Sequence, residues 1–227
     1  MTTDQQISDL KVLLDHLETE YAHSIACGDW SACSTAKGKV AKVRNRIGKL
    51  IKVRMGMAWL MNIFYTDTSP WLSARTLCDK HIVKMPVETV QMLVSALNRH
   101  GIQHQVLTKA GALHRGGYKH HPCTVWAGDS RSNADWLFRH GCGLCHEYFR
   151  RYGHIHIAYK QLGQFYLELY RLPDNGFTDP FQAMPDELKV QGDPVAAYRQ
   201  YMQHKVNSKP FVFTWRKAPH RKPTWIN

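Results

Sequence analysis

The stretch CDKHIVKMPVETVQML, residues 78–93, decides how the rest of the chain is read. His81, Lys84, Glu88 and Gln91 step by three, four and three, which puts all four on one side of a helix with 3.6 residues per turn. Ile82, Val83, Val87, Val90, Leu93, Val94 and Leu97 fall on the other side, so the spacing predicts one face in a core and one turned to chemistry or solvent. Pro86 has no N–H to give and predicts a kink or restart, leaving polar backbone near Lys84 for a ligand or a neighbouring side chain. Spacing alone leaves two readings open: surface charges with a Lys84–Glu88 pair one turn apart, or a functional constellation.

Working outward, the 227 residues hold enough apolar and aromatic side chains for one main domain with a small appendage. A formal charge of +12 and a pI near 9.5 favour polyanions as partners, nucleic acid first. The opening MTTDQQISDL carries neither a basic leader nor an apolar core, and the longest apolar run, from residue 57 through Ile63-Phe64, is too short for a bilayer. A cytoplasmic protein without a membrane span is expected, with its six cysteines reduced.

Upstream of the decisive stretch, Ile7, Leu10, Leu13, Leu14, Leu17 and Tyr21 repeat at helical spacing, Cys27-Gly28-Asp29 makes a turn, and a second helix is expected from Trp30 to about Arg54. Residues 1–29 carry one lysine against six acids, whereas residues 37–54 carry eight Lys/Arg and no acid. Such arms pair as an antiparallel hairpin, and the surplus of basic charge also suits a phosphate backbone. The character changes after Met55-Gly56, which predicts a hairpin extension over 1–58 and a main domain over 59–227. From Met61 onward the chain has 21 Lys/Arg against 12 Asp/Glu, so most of the excess charge lies there.

Within that domain MNIFYTD, residues 61–67, reads as a strand or extended lead-in, and Ser69-Pro70 opens a helix. Residues 101–122 read as a long Gly/His/Lys-rich loop, a helix capped near Asp129 or Ser130 follows, and HIHIAYKQLGQFYLELY reads as another single helix. Asp193-Pro194 predicts an N-cap and first-turn proline for a helix to about Val206.

DKHIVKMPVE resembles the first long helix of the pyrimidine-dimer DNA glycosylases, the endonuclease V type of bacteriophages, and of related small bacterial proteins. In those enzymes an Asp, a His two residues on and a catalytic Glu seven residues after the His stand where this chain has Asp79, His81 and Glu88. The likeness extends to HHPCTVW (120–126), LCHEYFRRYG (144–153) and KPTW (222–225), and uncharacterised phage proteins carry the same DKH, HPC and EY motifs. The resemblance implies an all-α domain that extrudes a nucleotide from double-stranded DNA and excises a damaged or modified pyrimidine, encoded by a phage. It implies catalytic positions at Asp79, His81 and Glu88, and Lys84, one turn before Glu88, is a fourth catalytic candidate. Enzymes of this type attack C1′ of the sugar with the free amine of a processed N-terminus, and here about sixty residues precede the matching segment. Either a water activated beside Glu88 or an imine on Lys84 or Lys80, with strand cleavage, would serve in its place; water is the expected route. A non-catalytic nucleic-acid-binding module and a transferase acting on a modified base are the alternatives.

Lys80 and Gln91 flank that centre. His120 and His121 follow the glycine-rich loop and are candidates for phosphate or a base edge. Arg150, Arg151 and Tyr152 end a helix in the manner of a phosphate clamp. Arg216, Lys222 and Trp225 belong to a tail that interleaves aromatic and basic residues, the mixture that stacks on bases and tracks backbone. CGLCH, residues 142–146, matches a haem attachment pattern and with HHPC can be drawn as a zinc site. Two cysteines three apart around Leu144 read instead as packing residues, and no metal or cofactor is expected.

Overall fold

The computed structural model describes residues 3–54 and 61–227, which form two compact units, Met1–Leu60 and Met61–Asn227. The change of character at Met55-Gly56 lies outside the described residues. Among those residues the chain is all-α, with nine α-helices and no strand; an isolated bridge between Leu107 and Leu113 is the nearest approach to a sheet. No helix among them is long and apolar enough to cross a membrane.

The first unit is the helical pair α1 (Thr3–Ala26) and α2 (Trp30–Arg54). Gly28 turns the chain at φ +70°, a conformation that costs glycine little. Leu17, Cys33, Ala36, Val40 and Ile47 are buried along the seam, and Arg44 reaches Glu18 across it at 2.7 Å. Both partners of that ion pair are largely exposed, so it contributes little beside the apolar seam.

The second unit is built around α4 (Asp79–Arg99), which packs against α5 (Pro122–Asp129), α6 (Arg131–Tyr152) and α7 (Ile157–Gly163). The helix runs through Pro86 without interruption, contrary to the expected restart. Pro86 is itself buried, and tertiary packing around it outweighs the lost hydrogen bond. The polar backbone expected near Lys84 is used internally: His156 Nε2 lies 3.2 Å from the Val83 carbonyl while its Nδ1 accepts the Ala158 N–H, which makes Nε2 the protonated nitrogen.

Which face of α4 is buried also differs from the simple wheel. His81 and Glu88 are buried, whereas Val83 and Val87 are exposed, because the lead-in 61–66 and the C-terminal tail cover the side carrying His81 and Glu88. That lead-in forms no strand, and all six of its residues are buried. It docks on α3 (Pro70–Thr76) through Ser73, whose Oγ donates to the Phe64 carbonyl at 2.8 Å.

Helix α6 is capped by Ser130 Oγ and ended by Gly153 at φ +77°. Gly143, within CGLCH, and Gly141, just before it, are close-packing positions. A Cβ on Gly141 would meet Thr89 Cγ2 at 2.6 Å, and one on Gly143 would meet Ala74 Cβ at 2.9 Å, so glycine lets α6 press onto α4 and α3. The segment expected as one helix after His154 is instead α7 and a four-residue α8 (Tyr166–Leu169). Gly163-Gln164 weakens helix continuation, and burying the Phe165 ring completely draws the chain inward at that point. Helix α9 (Pro194–Ser208) begins as expected, with Asp193 Oδ1 accepting the Ala196 N–H at 2.8 Å.

Candidate active site

Glu88 is placed by α4 two turns after His81, and its side chain is only 8% exposed. Oε1 lies 2.6 Å from Lys84 Nζ, one turn back on the same helix, while Oε2 is buried with no hydrogen-bond partner. Burial raises the pKa of this carboxyl; the Lys84 ammonium, the Asn62 backbone N–H and the Lys205 charge oppose the shift. A carboxylate tuned upward in this way is suited to take a proton or to face a developing cation.

His81 stacks on Phe64, with ring centroids 4.1 Å apart, and lies 5.3 Å from the Phe213 ring. Its Nδ1 is buried without a partner. Burial holds the imidazole far below its ordinary range, and Lys205, Lys84 and Lys80 push the same way, so His81 is neutral at physiological pH. The ring against it is held in an unusual pose. Phe64 has φ +48°, which costs an aromatic residue on the order of 1–3 kcal/mol. The conformation is fixed by Asn62 Oδ1 accepting the Phe64 N–H at 2.8 Å and by the Phe64 carbonyl accepting from Ser73 and Thr66. Backbone strain beside a buried acid and a buried histidine is the pattern of a functional site.

Around this pair the charge is positive. Lys80, Lys84 and Lys205 act on His81, and Lys84, Lys209 and Lys80 act on Lys205. Lys205 comes from the C-terminal part of α9, and no sequence signal marks it: the helical pattern predicts its backbone and says nothing about what surrounds its ammonium. Its Nζ stands over three rings, 4.7 Å from Tyr201, 5.2 Å from Phe213 and 5.7 Å from Phe64. Cys123, from the HHPC motif, is fully buried within electrostatic range of Glu88, and burial pushes its thiol up to about 12. It is a protonated packing group.

The remaining predicted residues divide by placement. Lys80 is exposed beside Phe213, with its Nζ 5.4 Å from the ring. Arg150, Arg216, Lys222 and His120 are exposed, and Trp225 is half-buried beneath the Arg199 guanidinium. Gln91 packs under Gly117, whose amide donates to the Gln91 carbonyl. His121 is buried and caps α5 by accepting the Cys123 N–H at its Nδ1.

Asp79 and Arg151 are structural partners. The Arg151 side chain is 1% exposed; it contacts Asp79 Oδ1 at 3.1 Å and Glu147 Oε2 at 3.3 Å, and it donates to the carbonyls of Leu77 and Arg75. Asp79 Oδ2 also accepts the Lys217 N–H, which pins the tail to the start of α4. Of the expected arginine clamp, then, Arg150 faces outward and Arg151 turns into the fold. Tyr152 is half-buried, donating to the Asp79 carbonyl at 3.4 Å, with Lys217 over its ring.

The candidate site is thus a buried carboxylate among lysines and aromatic rings within an all-α domain. Residues 61–161 match the family model described as pyrimidine dimer DNA glycosylase, and that match supports the superfamily suggested by the DKH, HPC and EY motifs. The family's activity is that of a DNA glycosylase, with DNA as substrate. No curated protein and no solved structure matches the chain.

Proposed function

We propose that the protein is a DNA N-glycosylase that removes a damaged or modified pyrimidine from double-stranded DNA. The observation that carries this reading is Glu88: a buried carboxylate with one oxygen unpartnered, surrounded by lysine charge, inside the segment matched by the family model. Cleaving the C1′–N bond builds positive charge on the sugar, and a fixed carboxylate in a poorly solvated site stabilises that charge strongly. Neutral His81 is available to exchange a proton. Lys84, clasped to Glu88, opposes the upward shift that burial causes and so favours the ionised carboxylate.

The surface supplies the second half of the reading. Lys80 and Lys84, both exposed on α4, with Arg216 and Lys222 in the tail, are available to phosphates, whose contacts set affinity and register rather than sequence preference. The aromatic residues near them favour an unstacked base over a paired one.

Duplexes carrying a single thymine dimer, uracil or 5-hydroxymethylpyrimidine test the proposal when base release is scored as alkali-labile sites. Release from one of them is expected. Tight binding to every duplex with release from none would reassign the protein to a DNA-binding module.

A further inference from the structure

We propose that Lys205 supplies the amine that attacks C1′ of the target nucleotide, so that the enzyme excises its base through an imine and cuts the strand. This inference rests on the glycosylase reading above and names the nucleophile of that same site.

Three features single out Lys205 among the lysines at the site. Its ammonium is half-buried against Tyr201, Phe213 and Phe64, and among the described residues no carboxylate lies within ion-pairing distance of it. It shares an electrostatic neighbourhood with both Glu88 and His81, each of which responds to its charge. Burial first, then the charges of Lys84, Lys209 and Lys80, hold its amine down at about 8, with Cys78 opposing. A lysine near that value is partly unprotonated at neutral pH, the condition for a nucleophilic amine. Lys84 and Lys80 lack this environment: Lys84 is 55% exposed and clasped to Glu88, and Lys80 is exposed.

The chemistry balances with water as the only co-reactant. The neutral Nζ lone pair forms a bond to C1′ as the C1′–N bond to the base breaks, and the departing base takes a proton. Loss of a proton from Nζ and cleavage of the C1′–O4′ bond, with O4′ protonated, give a protonated imine and an open sugar. Glu88 takes a proton from C2′; the C3′–O3′ bond then breaks and the phosphate leaves with its electrons. Water hydrolyses the imine and returns the amine of Lys205 together with an unsaturated aldehyde.

The test uses the full chain and two duplexes, one with a single abasic site and one with a single thymine dimer. Borohydride reduces an imine to a stable adduct, and peptide mapping of wild-type protein trapped on the abasic duplex locates it. The expected adduct lies on Lys205, its yield climbs as pH is raised through about 8, and Lys205→Met loses both adduct and strand cleavage while duplex affinity and melting temperature hold. An adduct mapped to Lys80, Lys84 or the α-amine overturns the inference, as does the absence of any adduct. Cleavage of a glycosyl bond of the dimer that leaves intact abasic sites without adduct refutes Lys205 and preserves the glycosylase. An adduct on Lys205 with no release from the dimer or any other modified pyrimidine upholds the amine and refutes base excision.

Discussion

Arg151 Nη1 lies 3.1 Å from Asp79 Oδ1 and joins the last turn of α6 to the first turn of α4. The Asp that the glycosylase motif contributes is thereby committed to holding the helix that carries His81 and Glu88. Arg151 also holds Glu147, which Arg221 reaches at 3.1 Å from the tail, so one buried network fixes three segments behind the site.

Removing one partner from such a network leaves a buried charge uncompensated. Arg151→Met is expected to cost about 3–5 kcal/mol of stability, measured by chemical denaturation. Arg150→Met, one residue earlier and exposed, should leave stability within about 0.5 kcal/mol and weaken DNA binding instead. Equal stability losses in the two variants would remove the distinction.

Lys84 should govern the acid side of the activity profile. Its ammonium holds the Glu88 carboxyl down against burial, so Lys84→Ala raises that carboxyl further and moves the acidic limb of the pH–rate curve upward. The same variant should lower the slope of log affinity against log salt by about 1 if Lys84 also meets a phosphate. An unmoved acidic limb would mean that Glu88 does not titrate in turnover.

Buried histidines make the domain acid-sensitive. His81 is held far below 6.5, and His140, stacked on Trp136 with both nitrogens unpartnered, is held at about 3. The unfolded chain takes up these protons first, so stability is fully present above 6.5 and is lost as pH falls below it, by about 1.4 kcal/mol per pH unit for each histidine. Urea unfolding at pH 7.5 and 5.0 measures this. His140→Phe should flatten the loss without lowering stability at pH 7.5, since an apolar ring needs no partner there.

How much of this was legible in the sequence depended on whether the determinants were local. The spacing of Asp79, His81 and Glu88, the Asp193-Pro194 cap and the Ser130 cap are local, and each element appears where its residues indicate. Helical periodicity misassigned Val83 and Val87 because a wheel cannot tell which side the chain will later cover. Phe64 and Phe213, 17 residues upstream and 132 downstream of His81, make that choice. Lys205 escaped notice for the same reason: its chemistry is set by rings from the lead-in, α9 and the tail together. Arg151 read as half of a phosphate clamp because nothing in LCHEYFRRYG indicates that the side chain of one arginine of the pair is 1% exposed and bonded to Asp79.

Glu88→Gln is the most direct measurement of the account. The substitution keeps size and hydrogen bonding, removes the charge opposed to the developing cation, and frees the Lys84 clasp without leaving an unpaired carboxylate. Single-turnover base release from a duplex that the wild-type protein processes should fall by about 10²–10³-fold, with duplex affinity held or tightened. Release at the wild-type rate would contradict the assignment and return Glu88 and Lys84 to an ion pair of the helix.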